Sequence, residues 1–76
     1  MRDFIEYIAK QLVDKPDAVQ ISEEENDNKI VFKIRVDQTD VGKIIGKQGR
    51  TAQSIRVLLS AVAAKHGKRA ILEVED

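Results

Sequence analysis

A chain of 76 residues, 42% apolar and 34% charged, has the composition of one small folded domain and not of a disordered segment. At this length only about 60% of the unfolded surface becomes buried, so stability is expected to be modest, with self-association a common supplement. The absence of cysteine excludes disulfides and thiolate metal sites, the apolar runs are too short to span a membrane, and Met1-Arg2-Asp3-Phe4 opens no apolar signal segment, so a cytoplasmic protein is expected.

Phe4, Ile5, Ile8, Leu12 and Val13 recur at helical spacing and predict an amphipathic helix over 2–14. Pro16 ends it, because the residue before a proline is pushed out of the α region. Val19 and Ile21 alternate with polar neighbours, predicting a strand at about 18–24. Asn26-Asp27-Asn28 offers turn chemistry through residues that tolerate positive φ. Ile30, Phe32, Ile34 and Val36 then alternate with Val31, Lys33 and Arg35, the clearest strand of the chain and the partner of its predecessor in a hairpin. Asp37 and Thr39 are candidate N-caps of a short helix reaching Ile45. Gly46 and Gly49 break that helix, and a longer one runs from Arg50 to about His66, with Gly67 as its C-cap. Ala70, Leu72 and Val74 alternate in a last strand, giving the order α-β-β-α-α-β.

The net charge is zero, but its distribution is uneven. Residues 1–40 carry ten acids and six bases, residues 41–72 carry seven bases and no acid, and the last four residues carry three acids. A local positive field of this kind attracts polyanions. At its centre lies Val41-Gly42-Lys43-Ile44-Ile45-Gly46-Lys47-Gln48-Gly49-Arg50. Two glycines enclosing two polar residues permit an unusual backbone path and close approach of a ligand. The helix opening at Arg50 directs free amides and its positive dipole end at that loop, and Lys43, Lys47 and Arg50 add charge. The arrangement suits a phosphodiester backbone. It is not a nucleotide P-loop: Gly42 and Gly46 enclose three residues where four are needed, and Gln48 follows Lys47 where a hydroxyl should. It is not a dinucleotide fingerprint, because the spacing is wrong and a helix precedes the loop.

Ile44-Ile45-Gly46-Lys47-Gln48-Gly49-Arg50, followed by Ile55, resembles the KH-domain signature, and the resemblance extends along the whole chain. The element order is similar to the type II arrangement of bacterial KH domains, and the length resembles the small single-KH proteins of the KhpA kind. The resemblance implies an α+β fold over residues 1–76, a three-stranded sheet with three helices on one face. It implies a clamp of Gly46, Lys47, Gln48 and Gly49 on about four single-stranded nucleotides. Lys43 and Arg50 would flank the clamp as phosphate contacts, and Ile44 or Ile45 would floor the base groove. The opposite wall would be the last strand near Arg69–Leu72, with Lys68 and Arg69 as secondary RNA contacts. The only aromatic residues, Phe4, Tyr7 and Phe32, lie outside the motif. Stacking of bases on rings is therefore not expected, and binding should be weak, salt-sensitive and of low sequence specificity.

No catalytic, cofactor or metal site is expected, because His66 is the only histidine and has no Cys or His partners. The helix 50–66 is apolar on more than one side. Ile55, Leu58 or Leu59, and Val62 form the stripe expected on the sheet. Val57, Ala61 and Ala64, with Ser54 and Ser60 nearby, form a second stripe that packs either on the first helix or on a second copy. The family resemblance implies the homodimer, and a larger KH-containing partner of the KhpB kind. Two functions stand open. One is RNA binding with a chaperone or post-transcriptional role; the other is a protein-interaction adaptor working through the 50–66 surface. The retained GxxG loop and its charge favour the first.

Overall fold

Ile30, Phe32 and Ile34 point to one side of strand β2 (Lys29–Arg35) and are at most 3% exposed, and this face organises the fold. The computed structural model describes residues 2–75. β2 is the centre of a three-stranded sheet. Strand β1 (Gln20–Glu25) pairs with it antiparallel, and strand β3 (Arg69–Glu75) pairs with it parallel. Ile21 opposes Ile34, and Phe32 opposes Leu72, so one face is apolar. The other face alternates to Ser22, Lys33, Arg35, Glu73 and Glu75 and carries no helix. The two rims of the sheet belong to β1 and β3.

Helix α1 (Arg2–Leu12) packs on β1 and helix α3 (Arg50–Ala64) on β3, with the short helix α2 (Val41–Ile45) between them. The parallel β2–β3 pair needs a long crossover, which α2 and α3 supply. The α-β-β-α-α-β order and the mixed sheet are those of the type II arrangement expected above. The hairpin turn is built differently from expectation. Asn26 Oδ1 accepts the amides of Asn28 and Lys29, each at 2.9 Å, and no residue of the turn takes positive φ. A side-chain acceptor thus replaces left-handed backbone.

Three expectations about packing need correction. The first helix ends at Leu12, not residue 14, and it buries Ile5, Ala9 and Val13; Phe4 is 49% exposed and Leu12 lies at the margin. On α3 the buried line is Ala52, Ile55, Leu59 and Ala63, while Leu58 and Val62 are 50% and 40% exposed. The reason is common to both helices. Alanines at helical spacing let the helix axis approach the sheet closely, so the larger aliphatic residues beside them flank the contact instead of forming it. The second stripe, Ser54, Val57, Ala61 and Ala64, is exposed and is not covered by α1. The end of α3 agrees with the sequence: Gly67 takes φ +70, its amide donates to Ala64 O, and the Lys68 amide donates to Ala63 O, each at 3.0 Å. This double bond pattern satisfies the last carbonyls before β3 begins.

Candidate nucleic-acid interface

The loop Gly46–Gly49 joins α2 to α3 in a path that few residues can follow. Gly46 adopts φ +80, ψ 174, a region open essentially to glycine alone. A Cβ there would collide with the side chain of Thr51 and lie 2.8 Å from its backbone nitrogen. Gln48 (φ 58, ψ 26) and Gly49 (φ 74, ψ 11) are consecutive left-handed residues. Gln48 is the only non-glycine with positive φ among the described residues. Holding it there costs about 1–2 kcal/mol, strain of the sort that collects at ligand clamps.

This path fixes where the polar groups go. Gly49 N–H donates to Gly46 O at 3.1 Å and Arg50 N–H to Lys47 O, closing the turn on itself. The Lys47 and Gln48 amides have no backbone acceptor among the described residues, and they stand beside the N-terminus of a 15-residue helix. Lys47, Gln48 and Arg50 are exposed, and no described acid lies within ion-pair distance of Lys47 or Arg50. Free donors, a helix dipole and two uncommitted cations therefore share one convex loop, an arrangement that attracts phosphate.

The two isoleucines before the loop divide the work. Ile44 is fully buried in the core and Ile45 is 39% exposed beside Gly46, so Ile45 is the one available as a groove floor. Lys43 lies on the other flank of α2 from Ile45, and its charge is engaged. Its Nζ pairs with Asp14 and sits 3.4 Å from Asp40 Oδ1. These partners hold the Lys43 ammonium above the usual lysine range, the Asp14 bond most of all. Asp40 is buried, and it was not singled out from the sequence. Its carboxylate accepts the amides of Asp14 at 3.3 Å and Lys15 at 3.1 Å. Burial opposes its charge, but these amides and Lys43 outweigh burial and hold the carboxyl below its ordinary range. The result is a polar knot tying the end of α1 to the helix that carries the loop. Asp37 caps the Thr39 amide at 2.9 Å, as one of the two expected caps; the Thr39 hydroxyl instead donates to Asp37.

Lys68 and Arg69 stand apart from the loop. They follow the far end of α3, about 22 Å along its axis from Gly49. Lys68 pairs with Glu25 across the sheet, and this bond holds the Glu25 carboxyl below its ordinary range. The chain therefore gathers Ile45, Gly46, Lys47, Gln48, Gly49 and Arg50 in one place, keeps Lys43 behind them, and leaves Lys68 and Arg69 remote.

A GxxG loop between two helices, set over a mixed three-stranded sheet in this order, defines a type II KH domain. A family model described as KhpA/KhpB, KH domain, matches residues 2–74, and the chain belongs to that family. The chain is 45% identical to RNA-binding protein KhpA of Aquifex aeolicus, over 97% of this chain and 94% of that protein. It is 47% identical to the protein of the same name in Caldanaerobacter subterraneus, over 97% and 99% of the two chains. To that of Borreliella burgdorferi it is 49% identical, over 97% and 90%. No solved structure matches. The family is not one of enzymes.

Proposed function

We propose that this chain acts as a single KH domain over residues 1–76 that clamps the backbone of about four single-stranded RNA nucleotides. The observation that carries the reading is the loop itself. Gly46 is required by its backbone and by Thr51, Gln48 is held left-handed, and the Lys47 and Gln48 amides are left open beside two unpaired cations. Gly46, Lys47, Gln48 and Gly49 form the clamp, Arg50 adds a phosphate contact, and Ile45 floors the groove. Lys43 acts mainly by fixing α2 to α1. The exposed stripe Ser54, Val57, Ala61 and Ala64, extended by Leu58 and Val62, supports a homodimer or a larger KH-containing partner of the KhpB kind. Two clamps on one dimer would raise the affinity of a weak single site by avidity. The names of the relatives support a role in RNA binding, and a cytoplasmic RNA chaperone or post-transcriptional regulator fits a clamp of low sequence specificity.

The test is fluorescence anisotropy with labelled, pooled single-stranded RNA at low and moderate salt. The double variant Lys47→Asp, Gln48→Asp keeps both glycines and reverses the loop charge. Salt-sensitive binding by the wild type that this folded variant loses is the expected result. Absence of wild-type binding, or equal binding by the variant, would move the function to the adaptor reading, in which the α3 surface alone does the work.

A further inference from the structure

The helix α3 has two unlike flanks. Its buried line is Ala52, Ile55, Leu59 and Ala63. At 3.6 residues per turn, Leu58 and Val62 fall to one side of that line, and Gln53, Arg56 and Ser60 fall to the other. All five are exposed. In a right-handed β2–α3–β3 crossover, the path such connections take, the side bearing Gln53, Arg56 and Ser60 faces outward over the free rim of β3. The opposite side faces inward towards α1.

The outward flank is prepared for a polyanion. Arg56 Nη1 donates to Gln53 Oε1 at 2.9 Å, which lays the guanidinium along the helix in the direction of the loop. Arg56 is six residues beyond Arg50, about 9 Å further along the axis. No described acid is within ion-pair distance of Arg50, Arg56 or Arg69, and residues 41–72 contain none. A guanidinium can bond a phosphate in two places or stack on a base, so Arg56 offers a flat partner in a site without aromatic rings.

We propose that single-stranded RNA leaving the clamp continues along this flank, over Gln53 and Arg56 towards Arg69. The bound strand is then longer than the clamp's own about four nucleotides. The inference rests on the RNA-binding reading above and deepens it by giving the site a direction and a length. It also gives Arg69 a use as the far end of a path, in place of the wall of a four-nucleotide groove.

The experiment compares labelled four-nucleotide and ten-nucleotide single-stranded RNAs by anisotropy across a salt series. The proteins are wild type, Arg56→Gln and Ser60→Arg, each checked by thermal melting. Arg56→Gln is expected to weaken the ten-mer roughly fivefold and to flatten its log–log salt slope by about 0.7, the release due to one phosphate contact on a single strand. The four-mer should be unchanged. Ser60→Arg, which adds a charge to the same flank, should tighten the ten-mer alone. Equal ten-mer binding by wild type and Arg56→Gln would overturn the path while leaving the clamp intact. Equal losses on both lengths would also overturn it, by assigning Arg56 to the clamp. If the wild type binds neither RNA, the RNA-binding reading fails and the path with it.

Discussion

Gly46→Ala and Gly49→Ala form a matched pair of perturbations on one loop, each adding a single methyl group. At Gly49 an added Cβ meets nothing within 4 Å, so only the left-handed backbone at φ +74 resists it. That costs about 1–2 kcal/mol, partly offset by about 0.4–1 kcal/mol of lost freedom in the unfolded chain. At Gly46 the backbone penalty is about 1–3 kcal/mol, and a second term is added. The new Cβ would lie 2.6 Å from Thr51 Cβ and 2.8 Å from Thr51 N, so the first turn of α3 must shift. A combined cost of about 3–4 kcal/mol is a large share of the stability of a small domain. At about 4–8 °C per kcal/mol, Gly46→Ala should lower the melting temperature by roughly 15–25 °C and Gly49→Ala by about 5 °C. Thermal melts followed by circular dichroism measure both. Equal shifts for the two variants would refute the reasoning. So would rescue of Gly46→Ala by Thr51→Ala, because that change removes the hydroxyl and methyl but leaves the Cβ and nitrogen that make the clash.

Val57→Glu places a charge on the exposed stripe of α3 and should turn a dimer into monomers by analytical ultracentrifugation, with folding stability changed by no more than about 0.5 kcal/mol; an unaltered dimer would locate the interface elsewhere. Asp40→Asn keeps the shape of the knot and removes its charge. Since the Asp40 carboxyl is held below its ordinary range, its charge contributes stability above the unfolded carboxylate value near about 3.9, and that contribution is lost as pH falls through the lower folded value. Urea midpoints should therefore differ between wild type and Asp40→Asn at neutral pH and converge in acid. A gap that stays constant with pH would mean that the charge of Asp40 is not what matters.

Strand periodicity was the most legible signal. Ile30, Phe32 and Ile34 could face only one way, and their register carried β1 and β3 with them. The loop was legible because glycine is the only residue that fits φ +80, ψ 174, so backbone need is written directly as a letter. The helix faces were harder to read. A contact made by Ala9, Ala52 and Ala63 is signalled by smallness, whereas hydrophobicity draws attention to Phe4, Leu58 and Val62 beside them. Asp40 was not legible at all. An acid just before a helix reads as a cap, and nothing local shows that its carboxylate serves backbone amides 25 and 26 residues earlier. Lys43 and Lys68 fared likewise: a lysine in a basic stretch looks free until the fold brings an acid to it.

The β1 rim gives the absence of net charge a colloidal meaning. A protein with as many acids as bases has little overall repulsion between its copies, and an open strand is where such a molecule begins to aggregate. Here that strand ends in Glu23-Glu24-Glu25. Two copies approaching β1 to β1 bring six carboxylates together before a single ladder bond can form. In a crowded solution the molecule is thus kept soluble by a few residues at its margin, and association is left to the helical side.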